Sequence, residues 1–363
     1  MATFNWLAGL RSPARSRFFD VMRQALATDD GKRILGDSLR GLTVAGEAPP
    51  RADLPRMEYP DLKGAPPRAP HRKPIFVTGR FRSGSTLLWN LFRHIPECRS
   101  FYEPLNERRW FDPAARGTRV DRTHLGVEDY WQEYEGLAHL ARWFQDDWTL
   151  RRLYLRSTDW EPELAAYVRG IIDGSPARPV LQFNRVDFRL PWLRAQFPEA
   201  RIIHLYRHPR DQWCSSLTAT DHFPREGAVA DFAPHDHFYL LAWATDLSYH
   251  FPFLDPRRAE HPYQLFYFVW RLSYDFGRAY ADASFGLEAL CEAPRDQIPR
   301  IMAAADVRGF DVESLAALVA RTEPGRWKAY ADAAWFEDHE ARCEEQLARF
   351  AAAPQNTHEP ADR

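Results

Sequence analysis

From Pro74 onward, apolar and polar residues fall into blocks that alternate between two periods. "PIFVTG" (74–79) is an unbroken apolar run closed by a glycine, the pattern of a strand covered on both faces. Residues 86–94 then repeat apolar positions at helical spacing until Pro96 stops them. "CRSFYE" (98–103) reads as a short extended piece, "RPVLQFN" (178–184) as a second buried strand, and "ARIIHLYR" (200–207) as a third, with a helix from about 211. Strands alternating with helices imply an α/β fold whose central parallel sheet is covered on both faces. The aromatic stretch 222–274 reads as helical with irregular insertions, 311–350 as helices carrying exposed charge, and no internal repeat is evident.

Ahead of this core, Phe18, Phe19, Met22, Ala25 and Leu26 recur at helical spacing among Arg11, Arg15, Arg17 and Arg23. The expectation is a helix docked on its own domain or on a second subunit, with peripheral contact to a membrane surface as the alternative. Residues 49–74 hold eight of the 28 prolines, which favours an extended connector. The expected organisation is an N-terminal helical appendage (1–48), a Pro-rich linker (49–74), an α/β domain (75–350) and a disordered tail (351–363).

Composition narrows the function classes. Lys plus Arg (48) nearly balances Asp plus Glu (50), so no nucleic-acid partner is called for and any attraction to an anion must be local. The four cysteines (98, 214, 291, 343) show no C-x-x-C spacing, which fits reduced thiols and a cytoplasmic setting better than a disulfide framework or a zinc knuckle. No run reaches the roughly 18 apolar residues of a membrane span. The N-terminus lacks the pattern of a secretory signal. Aromatics at 14% suggest broad packing layers or aromatic-walled cavities, and those of 130–160 and 238–274 could form either.

The candidate chemistry begins in "GRFRSGST" (79–86), between strand and helix. A helix start offers unpaired N–H groups and the positive end of its dipole, Gly84 lets the backbone approach an anion, Ser83, Ser85 and Thr86 add hydroxyls, and Arg82 adds a guanidinium fork. The alternative is an ordinary turn with a serine N-cap. Ser85 stands where a nucleotide-hydrolysing loop would carry Lys, and the strand 202–206 runs into Tyr206 and Arg207 rather than a magnesium-holding carboxylate. An ATP-dependent small-molecule kinase is therefore a weaker reading, and a silent anion-binding or interaction module a further alternative.

Two further groups converge on that loop by geometry. The helix carries the chain away by roughly 14 Å. If the extended piece after it returns alongside by about 17 Å, Glu103 arrives near the helix start, where a carboxylate could take a proton from a hydroxyl; the alternative is a surface Glu before a Pro turn. In "RIIHLYRHPRDQWCSSL", Arg207 stands at a strand end and Ser215 two turns into the next helix, where ligands of open α/β sheets gather; the alternative is a surface charge cluster of Arg207, Arg210 and Asp211. "APHDHF" (233–238) groups His235, Asp236 and His237, where a loop or helix cap outweighs a metal site.

Arg82 with Pro96 fourteen and Glu103 twenty-one residues later, and Arg207 with Pro209 and Ser215, resemble the two binding signatures of sulfotransferases that use 3′-phosphoadenosine 5′-phosphosulfate (PAPS), most closely the carbohydrate and tyrosylprotein branches. The resemblance implies a P-loop-containing three-layer α/β/α fold with helical insertions. It implies that Ser83, Gly84, Ser85 and Thr86 hold the 5′-phosphosulfate, that Arg82 stabilises the sulfonyl oxygens, and that Arg207 and Ser215 bind the 3′-phosphate. Glu103 matches the general base, while the small-molecule branch would have a His where Asn184 stands. Arg185 could reach the sulfonate or acceptor. The terminal clasp of that branch is only partly kept in "RTEPGRWKAY" (321–330), which leaves Trp327 as a candidate beside the nucleotide. The expected acceptor is a hydroxyl-bearing glycan, glycolipid or small molecule, no metal is required, and a homo-oligomer is left open.

Overall fold

The computed structural model describes residues 73–352, apart from 122–123, 125, 218–222 and 321–323, together with Thr28 and Arg33. The chain divides into two compact units, 1–67 and 68–363. The expected N-terminal helix, almost all of the Pro-rich linker and the tail beyond Ala352 lie outside the described residues.

Among the described residues, one sheet is formed by β1 (Ile75–Thr78), β2 (Cys98–Tyr102), β3 (Arg178–Phe183), β4 (Arg201–Tyr206) and β5 (Ala283–Gly286). The order is β2-β3-β1-β4-β5 and every neighbouring pair is parallel. Helix α1 (Ser85–Arg93) connects β1 to β2, and α2 (Pro162–Asp173) precedes β3. Next, α3 (Leu190–Gln196) leads into β4 and α4 (Pro209–Ser216) leaves it. Helices α5 (Leu240–Leu247) and α6 (Pro262–Tyr280) fill the aromatic stretch. Finally come α7 (Leu287–Glu292), α8 (Pro294–Ala304), α9 (Val312–Ala316) and α10 (Ala333–Ala352).

Side chains alternate across the strands, and both faces are covered. Ile75, Val77, Val180, Ile203 and Leu205 pack with Leu88 and Leu91 of α1 and with Ile298 and Ile301 of α8. Phe76, Phe101, Leu181, Phe183 and Ile202 pack on the opposite face with Tyr167 and Ile171 of α2 and Trp192 of α3. This double burial is why β1 and β3 read as uninterrupted apolar runs rather than alternating ones. The result is the expected three-layer α/β/α fold with a central parallel sheet, extended by a helical layer in which Trp243, Phe266, Val269 and Phe336 pack together. Strand β5, the short "ASFG", carries no strand signal and was not expected. Cys98, Cys214, Cys291 and Cys343 are reduced thiols. Among the described residues, no helix is long and apolar enough to cross a membrane.

Two histidines belong to this framework. His204 on β4 is buried beside Ser284 (3.1 Å) and packs on Gly277 of α6, where a Cβ would lie 2.3 Å from its Nδ1. His261 caps α6, its Nδ1 accepting from the backbone N–H of Tyr263 at 3.0 Å. Burial pushes both imidazoles down to about 4. An unfolded histidine takes up its proton below about 6.5. Between these limits the unfolded chain binds more protons, so stability falls on acidification from 6.5 toward 4, by up to ~1.4 kcal/mol per pH unit for each residue. Urea unfolding at pH 7 and pH 5 should show this loss, and His204→Gln should reduce it; an unchanged pH dependence would contradict the assignment.

Candidate active site

The β1–α1 corner is built for close approach. A Cβ on Gly79 would lie 2.7 Å from the Leu205 carbonyl of β4, and Gly84 sits at φ +89°, where one would lie 2.5 Å from Leu287. Arg82 also has positive φ, at 66°. The N-cap of α1 is Gly84, no side chain caps the helix, and its first turn holds no acidic residue. The ordinary serine-capped turn is thereby removed as an alternative. Ser83 Oγ is buried and has no hydrogen-bond partner among the described residues. An orphaned hydroxyl beside the free N–H groups of a helix start is a donor set shaped for an oxyanion.

The sheet order brings the second motif to this corner. Connections from β1 and β4, which are adjacent, run in opposite directions across the sheet, so a crevice opens between their carboxyl ends. Across it Arg82 Nε donates to Ser215 Oγ (3.0 Å), Arg207 Nη1 to the Arg82 carbonyl (3.2 Å), and Gln212 Nε2 to the Phe81 carbonyl (2.8 Å). Burial lowers the Arg207 pKa, and the like charges of Arg82 and Arg326 act in the same direction, opposed by Asp211 and Glu288. Cations gathered against their own repulsion mark a place for an anion.

Glu103 stands at the carboxyl end of β2, two strands from β1, at φ 37° and only 7% exposed. Asn184 and Arg185, from the end of the intervening β3, donate to it at 2.5 Å (Oε1) and 3.2 Å (Oε2), and Asn106 donates to Oε2 at 2.6 Å. Arg185 pairs also with Glu107 at 2.6 Å and lies over the Phe81 ring at 4.9 Å. Tyr102 ties β2 to the cradle, its hydroxyl 3.2 Å from Thr86 Oγ1. Burial and the nearby Glu103 charge hold that phenol well above its ordinary range.

Residues 74–254 match the model of the sulfotransferase family. The chain belongs to the sulfotransferase family. No curated relative matches it. Among solved structures, a sulfotransferase from Mycobacterium avium matches with a TM-score of 0.41 and 16% identity over 78% of this chain and 76% of that one. One from Alicyclobacillus acidocaldarius matches with a TM-score of 0.36 and 17% identity over 77% of this chain and 95% of that one.

In this sulfotransferase a cavity of about 1120 Å³ is lined by Arg82, Ser85, Thr86 and Glu103 together. Ser83, Gly84, Arg207 and Ser215 are not among its lining residues: the first two belong to the same turn, and Arg207 and Ser215 bond to Arg82, which does line it. Asn184 lines the wall as a donor to Glu103, and Arg185 meets the carboxylates rather than standing free. Of the aromatic stretches, Tyr130, Phe238 and Tyr239 face the cavity while Trp148, Trp243 and Tyr263 are core. Trp327 does not line it. Asp211 accepts from the backbone N–H of Gly325 and Trp327, and the indole packs under Arg210 (4.9 Å) and against Phe336. Asp236 caps α5 through the N–H groups of Leu240 and Leu241. Among the described residues, no group of His, Cys, Asp and Glu could hold a metal.

Asn106, Glu107, Arg108 and Trp110 also line the cavity and escaped the sequence reading, although "YEPLNERRW" follows Glu103 directly. Gly84→Ala tests the cradle. A side chain at that φ costs about 1–2 kcal/mol, a loss of a few degrees in melting temperature. Calorimetric titration with 3′-phosphoadenosine 5′-phosphate (PAP), the desulfated nucleotide, should show at least a tenfold weaker Kd, and undiminished affinity in the folded variant would contradict an anion-binding turn.

Proposed function

We propose that this sulfotransferase moves a sulfonyl group from PAPS to a hydroxyl of an acceptor, a glycan or glycolipid in the first place, with Glu103 as general base. The observation that supports this reading above others is that Glu103 and three residues of the turn, Arg82, Ser85 and Thr86, open onto one cavity. The "YEP" signature favours the carbohydrate and tyrosylprotein branches, and aromatic faces such as Tyr130 suit a sugar ring. The reduced cysteines fit a cytoplasmic setting.

When bound, PAPS supplies a sulfur atom already joined to a leaving group, the 5′-phosphate. The Ser83, Ser85 and Thr86 hydroxyls and the first N–H groups of α1 hold the 5′-phosphosulfate around Gly84. Arg207 and Ser215 hold the 3′-phosphate. With its Nε on Ser215, Arg82 offers its Nη groups to the sulfonyl oxygens, where charge shifts as the new O–S bond forms and the bond to the 5′-phosphate breaks. Glu103 takes the acceptor's proton. Its carboxylate accepts from Asn106, Asn184 and Arg185, which fix its orientation toward the cavity where the hydroxyl would sit. Arg82 and the helix terminus supply the positive charge, and no metal is required.

Glu103→Gln keeps the shape of the side chain and removes its capacity to accept a proton. Turnover measured with labelled PAPS should fall by about 10²–10⁴-fold while the PAP affinity stays within about twofold. A variant that retains more than half the wild-type rate would remove Glu103 from the mechanism.

A further inference from the structure

We propose that the acceptor is an anionic hydroxyl compound, held through a carboxylate, phosphate or sulfate group by Arg108 and Arg119; this inference rests on the sulfonyl-transfer reading above. Four arginines and three carboxylates line the cavity. Arg185 is taken by Glu103 and Glu107, and Arg82 is turned to Ser215. Asp121, the third carboxylate, engages a partner of its own. Arg108 and Arg119 have no ion-pair partner among the described residues, yet the chain brings them together, Arg108 Nη1 donating to the Arg119 carbonyl at 3.3 Å.

Their place relative to the chemistry is fixed. The Arg108 backbone N–H donates to Asn106 Oδ1 at 2.9 Å, and Asn106 Nδ2 donates to Glu103 at 2.6 Å, so one turn of chain separates this cationic wall from the proposed base. Beside it Trp110, Tyr102 and Tyr130 pack ring on ring, with Tyr102 and Tyr130 stacked at 4.4 Å and Arg108 5.8 Å from the Trp110 ring centre. This frame backs the Arg108 side of the wall. Two guanidinium groups without an ion-pair partner among the described residues, in a concave site, attract negative charge and grip oxyanions through paired N–H donors. An acceptor whose hydroxyl reaches Glu103 would therefore turn its anionic group toward these two arginines.

The test pairs hydroxyl compounds that differ only in charge: 4-nitrophenyl glucoside with its glucuronide, its 6-phosphate and its 6-sulfate, and a neutral galactosyl lipid with its 3-sulfated counterpart. Each is incubated with PAPS and read by mass. The charged member of at least one pair should be sulfonated about ten- to a hundred-fold more efficiently than its neutral partner, the range expected for charge-assisted hydrogen bonds. The three acidic groups tell carboxylate, phosphate and sulfate recognition apart. Arg108→Ala with Arg119→Ala should raise KM for that charged acceptor at least tenfold while the PAP affinity, which also reports folding, stays within about twofold. Equal or better use of the neutral partners, no reaction with any charged member while PAP binds, or a preference that survives the double substitution would overturn the inference. Failure of the wild type to bind PAP would instead overturn the donor assignment, and this inference with it.

Discussion

The strand order β2-β3-β1-β4-β5 is the constraint from which the site follows. Because the chain leaves β1 toward one edge of the sheet and β4 toward the other, no connection covers the carboxyl ends of those two strands, and their loops face each other across a crevice. Arg82 to Ser215 and Arg207 to the Arg82 carbonyl are the bonds that close it. On the other side of β1, β3 stands between the cradle and Glu103. Across these two strand spacings, about 4.8 Å each, Arg185 bonds Glu103 and lies over the Phe81 ring of the turn, while Asn184 bonds Glu103. A different order would leave the same residues with the same spacing along the chain and no common cavity.

Strain is concentrated at the same points. Arg82 and Glu103 both adopt positive φ without being glycine, at 66° and 37°, a cost of about 1–3 kcal/mol each that persists only where surroundings over-determine it. For Arg82 these are the contacts to Ser215 and Arg207. For Glu103 they are three side-chain donors and the turn in which its carbonyl accepts from the Asn106 N–H at 2.9 Å. Burying a carboxylate is expensive unless it is paired and fully hydrogen-bonded, and Arg185, itself 3% exposed, meets that need. Orientation of both side chains is thus set before any ligand arrives.

How much of this the sequence discloses depends on whether the signal is local. β1, β3 and β4 show as apolar runs because both sheet faces are buried, and the turn at 79–86 shows because its glycine and hydroxyls stand in consecutive positions. Helix and strand lengths allow Glu103 to return toward the cradle, and the family-like spacing from Arg82 is what favours that over a surface position. β5 does not show, since four small or half-buried residues after a long helix carry no period. Neither does the triad around Glu103, because Asn184 and Arg185 lie 81 and 82 residues away and only the sheet pairs them. The setting of Trp327 is hidden for the same reason: Gly325 and Trp327 are visible in the sequence, while the Asp211 carboxylate that anchors their backbone lies more than a hundred residues away.

The most direct measurement is a crystal structure of the protein with PAP. The account expects the 5′-phosphate within hydrogen-bond distance of Ser83 to Thr86 at the start of α1, the 3′-phosphate on Arg207 and Ser215, and the Glu103 carboxylate facing the position vacated by the sulfonyl group. Nucleotide density away from the β1–α1 corner, or Glu103 turned out of the cavity in the complex, would contradict it.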